Sequence, residues 1–188
     1  MKIAFDFDNV IADFINTFII LAEAEYNIEV NYNNIKNYDF SEQDGLGLTP
    51  EQYKDLVNKI CASNYLTGLQ NQMENMYDVL STIYHYKYIY DPIVIISNRR
   101  HRKPVDEWLK TYLRGIRYSL FLLAGQDVSK GGILRALGYD AIIEDNPKEC
   151  KDILEQGFMP IVFDHPWNRE LGEGYKRIKN LREVLEIV

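Results

Sequence analysis

The sequence predicts an α/β protein built on a doubly wound parallel sheet, with a small helical cap inserted after the first strand. Three observations predict it. Short apolar, largely β-branched runs recur at Ile3-Ala4-Phe5, Ile93-Val94-Ile95-Ile96, Leu120 to Ala124, Ala141-Ile142-Ile143 and Pro160-Ile161-Val162-Phe163, the pattern of strands buried on both faces of a parallel sheet. Segments with helical spacing separate the last four of these runs, and strand alternating with helix implies parallel β/α units. Between the first and second runs the alternation fails: residues 16–90 form one long, Tyr-rich and mostly helical excursion. The expected division is therefore a core domain of residues 1–15 and 91–188, with residues 16–90 as the cap.

In order along the chain, Ile11, Phe14, Ile15, Phe18, Ile19 and Ala22 recur at helical spacing and predict a first helix from Ile11 to about Tyr26. Residues 27–48 show neither helical nor strand period and are expected to be loop, with Gly45 and Gly47 as flexible points. Thr49-Pro50-Glu51-Gln52 reads as a helix start, with Thr49 as N-cap, Pro50 at the first helical position and Gln52 completing a capping box. Tyr53, Leu56, Val57 and Ile60 then form an apolar stripe. Another helix is expected from about Glu74 to Tyr86. After the second strand Pro104 opens a helix carrying Val105, Trp108, Leu109 and Tyr112. A short helix follows Ser129-Lys130 and ends at Gly138, and a further one after Pro147 runs to about Gln156, capped by Gly157. A last helix near Asn180 carries Leu181, Val184 and Leu185.

Composition narrows the function. The 188 residues suit a sizeable core, and 46% hydrophobic with 26% charged residues is ordinary for a globular chain. A net charge of −7 argues against a broad nucleic-acid or anionic-membrane footprint, while leaving room for a small phosphorylated substrate. Cys61 and Cys150 lack CxxC spacing or clustered His, so neither a disulfide framework nor a zinc site is expected. No run approaches the ~18 apolar residues of a membrane span, and a cytoplasmic protein without a membrane partner is expected.

The chemistry-bearing residues fall at the ends of the predicted strands: Asp6 and Asp8 after the first, Ser97, Asn98 and Arg99 after the second, Lys130 after the third, and Glu144 and Asp145 after the fourth. Strand ends of a parallel sheet converge on one crevice, where open α/β sheets bind ligands. Asp6 and Asp8 share a face if the chain is extended. Asp6, Asp8 and Asp145 are hard oxygen ligands suited to Mg²⁺, which takes one or two carboxylates plus substrate phosphate. The Ser97 hydroxyl and the amides after it suit phosphate oxygens, and Lys130 supplies a point charge. Metal, hydroxyl and ammonium around a phosphate point to phosphoryl transfer, in which positioning and charge neutralisation do most of the catalysis.

As they stand, these residues resemble the four motifs of the haloacid dehalogenase superfamily of phosphohydrolases. Asp6-Phe7-Asp8-Asn9-Val10 looks like the first, Ser97 the second, Lys130 the third and Glu144-Asp145 the fourth. The resemblance implies a Rossmann-like core, Asp6 as the nucleophile that forms an aspartyl-phosphate, and Asp8 as the acid that protonates the leaving alcohol and then activates water. It implies Mg²⁺ held by Asp6, the Asp8 carbonyl and Asp145, with Ser97 and Lys130 on the phosphate. Within the superfamily, the position of the insertion, Ser97-Asn98-Arg99, Ile143-Glu144-Asp145-Asn146-Pro147 and Phe163-Asp164-His165-Pro166-Trp167-Asn168-Arg169 resemble the 5′(3′)-deoxyribonucleotidase family. That implies a nucleoside 5′-monophosphate as substrate, its base against cap aromatics such as Tyr38 or Phe40. Asn9 stands where Gly is common in that family, and Asn accepts turn conformations readily.

Several readings stay open on sequence. Glu144 is either a partner of Lys130, which is favoured, or a metal ligand. The cluster Arg99-Arg100-His101-Arg102-Lys103 is either a solvated loop or a phosphate attractor at the crevice mouth. His85 and His101 receive no catalytic role, and His165 to Asn168 either close one side of the site or form a structural turn. The alternatives to a nucleotidase are a phosphatase acting on another small phosphate ester or on a polynucleotide end, and a phosphate-binding protein with a dead site. A receiver domain has similar acids and a lysine but no room for the insertion.

Overall fold

In a computed structural model, which describes residues 1–39, 46–89 and 91–188, the apolar runs form one parallel sheet. Its strands are β1 (Ile3–Phe5), β2 (Ile93–Ser97), β3 (Tyr118–Leu122), β4 (Ala141–Glu144), β5 (Met159–Phe163) and β6 (Lys176–Ile178), in the order β3-β2-β1-β4-β5-β6. Every pairing is parallel. β1, β2 and β4 are buried along their whole length, as expected of strands covered on both faces. The chain winds outward from β1 through β2 to β3, then returns to β4 on the other side of β1. This reversal opens a crevice beyond the carboxyl ends of β1 and β4.

Seven α-helices are described: α1 (Phe14–Tyr26), α2 (Pro50–Ala62), α3 (Asn64–Gly68), α4 (Met76–Thr82), α5 (Arg102–Tyr112), α6 (Lys130–Leu137) and α7 (Pro147–Glu155). The capping box expected at Thr49 and Gln52 is present, and Gly138 ends α6 in the left-handed conformation. The structure differs from the sequence expectation in several places. There are six strands, not five; β6 was not foreseen because Lys176-Arg177-Ile178 is short, polar and at the sheet edge. α1 starts at Phe14, because Val10 and Ile11 bury themselves in a tight turn where the amides of Ile11 and Ala12 both donate to the Phe7 carbonyl. The helix expected over 74–86 is α4 followed by a π-helical turn at Ile83–Lys87, and the five-residue α3 precedes it. α5 begins at Arg102, two residues before Pro104, and the last helical stretch, Leu181–Glu186, is 3₁₀. The third strand lies at Tyr118–Leu122 rather than 120–124. Residues 27–39 contain a 3₁₀ turn at Tyr32–Asn34; Phe40 and Gly45 lie outside the described residues.

Among the described residues two large apolar cores form, with a small third cluster of Cys150, Val162 and Leu171. One large core surrounds the sheet and takes in Met76, Val79, Leu80 and Ile83 from the excursion between β1 and β2. The other large core gathers Phe14, Phe18, Leu56 and Ile60 from α1 and α2 with Trp167 from beyond β5. No described helix is long and apolar enough to cross a membrane.

Candidate active site

The crevice brings Asp6, Lys130, Glu144 and Asp145 together, all at most 5% exposed. Asp6 follows β1 directly, and its amide donates to Ile143 of β4 at 2.9 Å, so it is fixed across the switch point. Lys130 is the first residue of α6 and reaches back to donate to Asp6 Oδ1 at 2.6 Å and Glu144 Oε2 at 2.5 Å. Glu144 Oε1 accepts from the amides of Asp145 and Asn146. Both Glu144 oxygens are therefore committed, as a partner of Lys130 should be. Ligand oxygens of Asp6, Glu144 and Asp145 lie within 4.8 Å of one another, the group among the described residues able to hold a metal ion.

Electrostatics agree with a site short of positive charge. Burial raises the Asp6 carboxyl well above its ordinary value, opposed by Lys130 and reinforced by Glu144 and Asp8. Asp145 is raised by burial, then by Glu144 and Asp6. Burial works against the charged form of Lys130, but Asp6 and Glu144 overcome it and hold the ammonium above its usual range. Oδ1 of Asp145 is buried and has no hydrogen-bond partner among the described residues. An orphaned carboxylate oxygen is costly unless something binds it; a small hard cation fits this donor set.

Asp145 Oδ2 accepts from the Asn9 side-chain amide at 3.1 Å, while Asn9 Oδ1 accepts from the amide of Ile15 at 2.9 Å. Asn9 can do both because its backbone is left-handed, φ 57. Its carbonyl accepts from His165 Nε2 at 2.8 Å, which makes Nδ1 the acceptor for the Tyr32 hydroxyl, also at 2.8 Å. The imidazole stacks on Trp167, ring centres 4.4 Å apart. Asn168 donates to the Asp145 and Phe163 carbonyls. Sequence reasoning left His165 to Asn168 between two readings and gave Asn9 no task beyond a turn; the signal was the recurrence of side chains able to bond backbone where two strand-end loops must meet.

The other candidates divide. Ser97, at the end of β2, is buried and its hydroxyl accepts from the Arg99 amide at 3.3 Å. Asn98 is exposed and donates to Glu149 at 2.9 Å. The Asp8 side chain is not part of the acidic group: Arg99 holds both of its oxygens, at 2.9 and 2.6 Å, and also donates to Thr67. The basic cluster splits accordingly. Arg99 is buried, Arg100 and His101 line the cavity, and Arg102 and Lys103 face Asp106 and Glu107 on the surface of α5.

A cavity of about 410 Å³ rises over this floor, walled by Phe14, Tyr38, Tyr53 and Val57. Burial, then the charges of Asp145 and Asp6, hold the Tyr38 phenol well above its ordinary value, so its hydroxyl stays a donor. Carboxylates, a lysine and a strand-end serine beneath an apolar wall can hold a phosphate monoester by its charge and by its organic part.

Known proteins agree. The fold matches a haloacid-dehalogenase-superfamily hydrolase from Ehrlichia chaffeensis (TM-score 0.61, 16% identity, 99% of this chain and 94% of that one). It also matches a haloacid dehalogenase-like hydrolase from Streptococcus pneumoniae (0.65, 13%, 98% and 96%) and CbbY from Rhodobacter sphaeroides in complex with xylulose-(1,5)bisphosphate (0.59, 13%, 97% and 96%). Among curated protein sequences nothing matches the chain. The family model for 5′ nucleotidase, deoxy (pyrimidine), cytosolic type C protein matches residues 1–188. The chain thus shares the fold of haloacid-dehalogenase-like hydrolases, and it belongs to the 5′ nucleotidase, deoxy (pyrimidine), cytosolic type C, family of phosphatases.

Proposed function

We propose that the chain is a Mg²⁺-dependent cytoplasmic nucleotidase that removes phosphate from (deoxy)ribonucleoside monophosphates through an aspartyl-phosphate on Asp6. The observation that carries the reading is the buried group of Asp6 and Asp145, with one Asp145 oxygen unpartnered, beside Lys130 on the floor of an aromatic-walled cavity. Asp6 and Asp145, with the Asp8 carbonyl, would hold Mg²⁺, which when bound neutralises charge on the phosphoryl oxygens. Asp6 attacks phosphorus, and the bond to the ester oxygen breaks as Asp8 gives that oxygen a proton. Water then attacks the phosphorus of the aspartyl-phosphate, losing its proton to Asp8; the P–O bond to Asp6 breaks and phosphate leaves. Ser97 and the amides at Asn98 and Arg99 would bind phosphate oxygens, and Lys130 has a third N–H to offer them.

The segment expected over residues 16–90 would act as the cap. α1 and α2 share an apolar core and put Phe14 and Tyr53 on the cavity wall, and the stretch between them adds Tyr38. A nucleobase could stack there. A cavity of about 410 Å³ supports a mononucleotide over a polynucleotide end. Phosphate release from deoxy- and ribonucleoside 5′- and 3′-monophosphates, sugar phosphates and phosphorylated oligonucleotides, with Mg²⁺ or EDTA, tests the proposal, with Asp6→Asn as control. Mg²⁺-dependent release favouring nucleoside monophosphates is expected. Release only from other esters would discard the substrate, and substantial turnover by Asp6→Asn would discard the nucleophile.

A further inference from the structure

Arg99 lies two residues past the end of β2, and its side chain is only 2% exposed. Nε and Nη2 donate to Asp8 Oδ2 and Oδ1 at 2.9 and 2.6 Å, the two-pronged geometry that a guanidinium makes with a carboxylate. Nη1 donates to the Thr67 hydroxyl at 2.9 Å. That hydroxyl has no rotational freedom left, because its own proton goes to the Ile60 carbonyl at 2.8 Å. The guanidinium plane is held in turn by the rings of Phe7 and Phe14, 5.0 and 5.7 Å away. Thr67 lies in α3 and is wholly buried, so the chain of bonds runs from the segment between β1 and β2, through Arg99, to Asp8 on the cavity wall.

We propose that Arg99 is a positioning residue for Asp8 and that Thr67 ties this clamp to α3. The inference rests on the reading of Asp8 as the proton donor. Proton transfer needs a carboxyl oxygen within hydrogen-bond reach of the ester oxygen, and an unrestrained aspartate samples several rotamers. The fork takes one lone pair from each oxygen and leaves another site on each, one of which carries the proton that Asp8 gives to the ester oxygen. A lysine at this position keeps the charge but cannot grip both oxygens in one plane.

The test compares kcat/KM for two esters. A nucleoside 5′-monophosphate loses an alkoxide that needs the proton, whereas p-nitrophenyl phosphate loses a stable phenolate that does not. Asp8→Asn should lower the ratio of nucleotide to aryl kcat/KM. Arg99→Lys should lower the same ratio by about tenfold or more, given that general acids contribute roughly 10²–10⁴-fold, and Thr67→Val should lower it less. If Arg99→Lys reduces both esters in parallel, the clamp is refuted. Should Arg99→Lys fail to fold, Thr67→Val decides: a lowered ratio supports the clamp, and an unchanged one overturns it. If Asp8→Asn itself leaves the ratio unchanged, it is the acid assignment that fails.

Discussion

Replacing His165 with Gln should remove a pH dependence that the buried imidazole imposes on stability. Burial lowers His165 from its ordinary 6.5 to about 4; Arg169 lowers it further, and the Asn9 carbonyl and Asp164 pull the other way. Because the folded value lies below the unfolded one, the unfolded chain binds the proton first as pH falls. The contribution is thus fully present above about pH 6.5 and is lost as pH drops toward 4. Integrated between about pH 7.5 and about pH 5, the loss is about 2 kcal/mol. At neutral pH His165→Gln should be the less stable protein, by roughly 1–3 kcal/mol for disturbed bonds to Asn9 and Tyr32. By about pH 5 that gap should have narrowed by about 2 kcal/mol, since only the natural protein bears the cost of keeping a neutral imidazole. Urea unfolding of both proteins at the two pH values measures the gap, and carboxylates common to both cancel in the difference. A gap that stays constant with pH would refute the reasoning.

Lys130→Met, without metal, should lose about 3–5 kcal/mol, because Asp6 and Glu144 would keep buried charge with no cation; a midpoint in urea close to that of the natural protein would contradict this. Saturating Mg²⁺ at about a hundred times its Kd should stabilise the natural protein by about 2.7 kcal/mol. Asp145→Asn should abolish that gain in a thermal melt, and a retained shift would move the metal elsewhere. Asn9→Gly keeps a residue able to adopt φ 57 but drops the bond to Asp145, so Mg²⁺ affinity by calorimetry should weaken by about tenfold; unchanged affinity would deny Asn9 its hold on the ligand.

Sequence alone reveals the frame of the sheet and the acids at its edge, for a physical reason. Strands buried on both faces must be apolar throughout, so the Ile93 to Ile96 run is unambiguous, and a strand end with two aspartates has few uses. β6 escapes because an edge strand need bury only one face, and Ile178 alone of its three residues is fully buried. The start of α1 is misjudged because Ile11 satisfies helical periodicity while belonging to a turn, and burial, not helix, is what its apolarity reports. At the site, Asp6, Lys130 and Asp145 are legible because strand-end position suffices to bring them together. The Asp8–Arg99–Thr67 chain is not. It depends on a guanidinium turning inward, and no periodicity records a rotamer.

The loop that carries Asp6 and Asp8 is shaped as much by its surroundings as by its own sequence. Its turn is closed locally by bonds to the Phe7 and Ala12 carbonyls, but the next amide, Asp13, donates to Asn71 and the Ile11 carbonyl accepts from Met73. His165 fixes the Asn9 carbonyl from beyond β5, and Tyr32 fixes His165 from the segment after α1. Trp108 of α5 donates to the Gln70 carbonyl, anchoring the residues that follow α3 to the core. Two of the paths end on a carboxylate: Tyr32 through His165 and Asn9 on Asp145, and Thr67 through Arg99 on Asp8. A shift of α3 or of the Tyr32 turn by a fraction of a bond length would therefore be felt at Asp8 through Arg99 and at Asp145 through Asn9. Since productive geometry tolerates only about half an ångström of error, substitutions at Thr67 or Tyr32, neither of which the proposed chemistry touches, should change turnover before they change the fold.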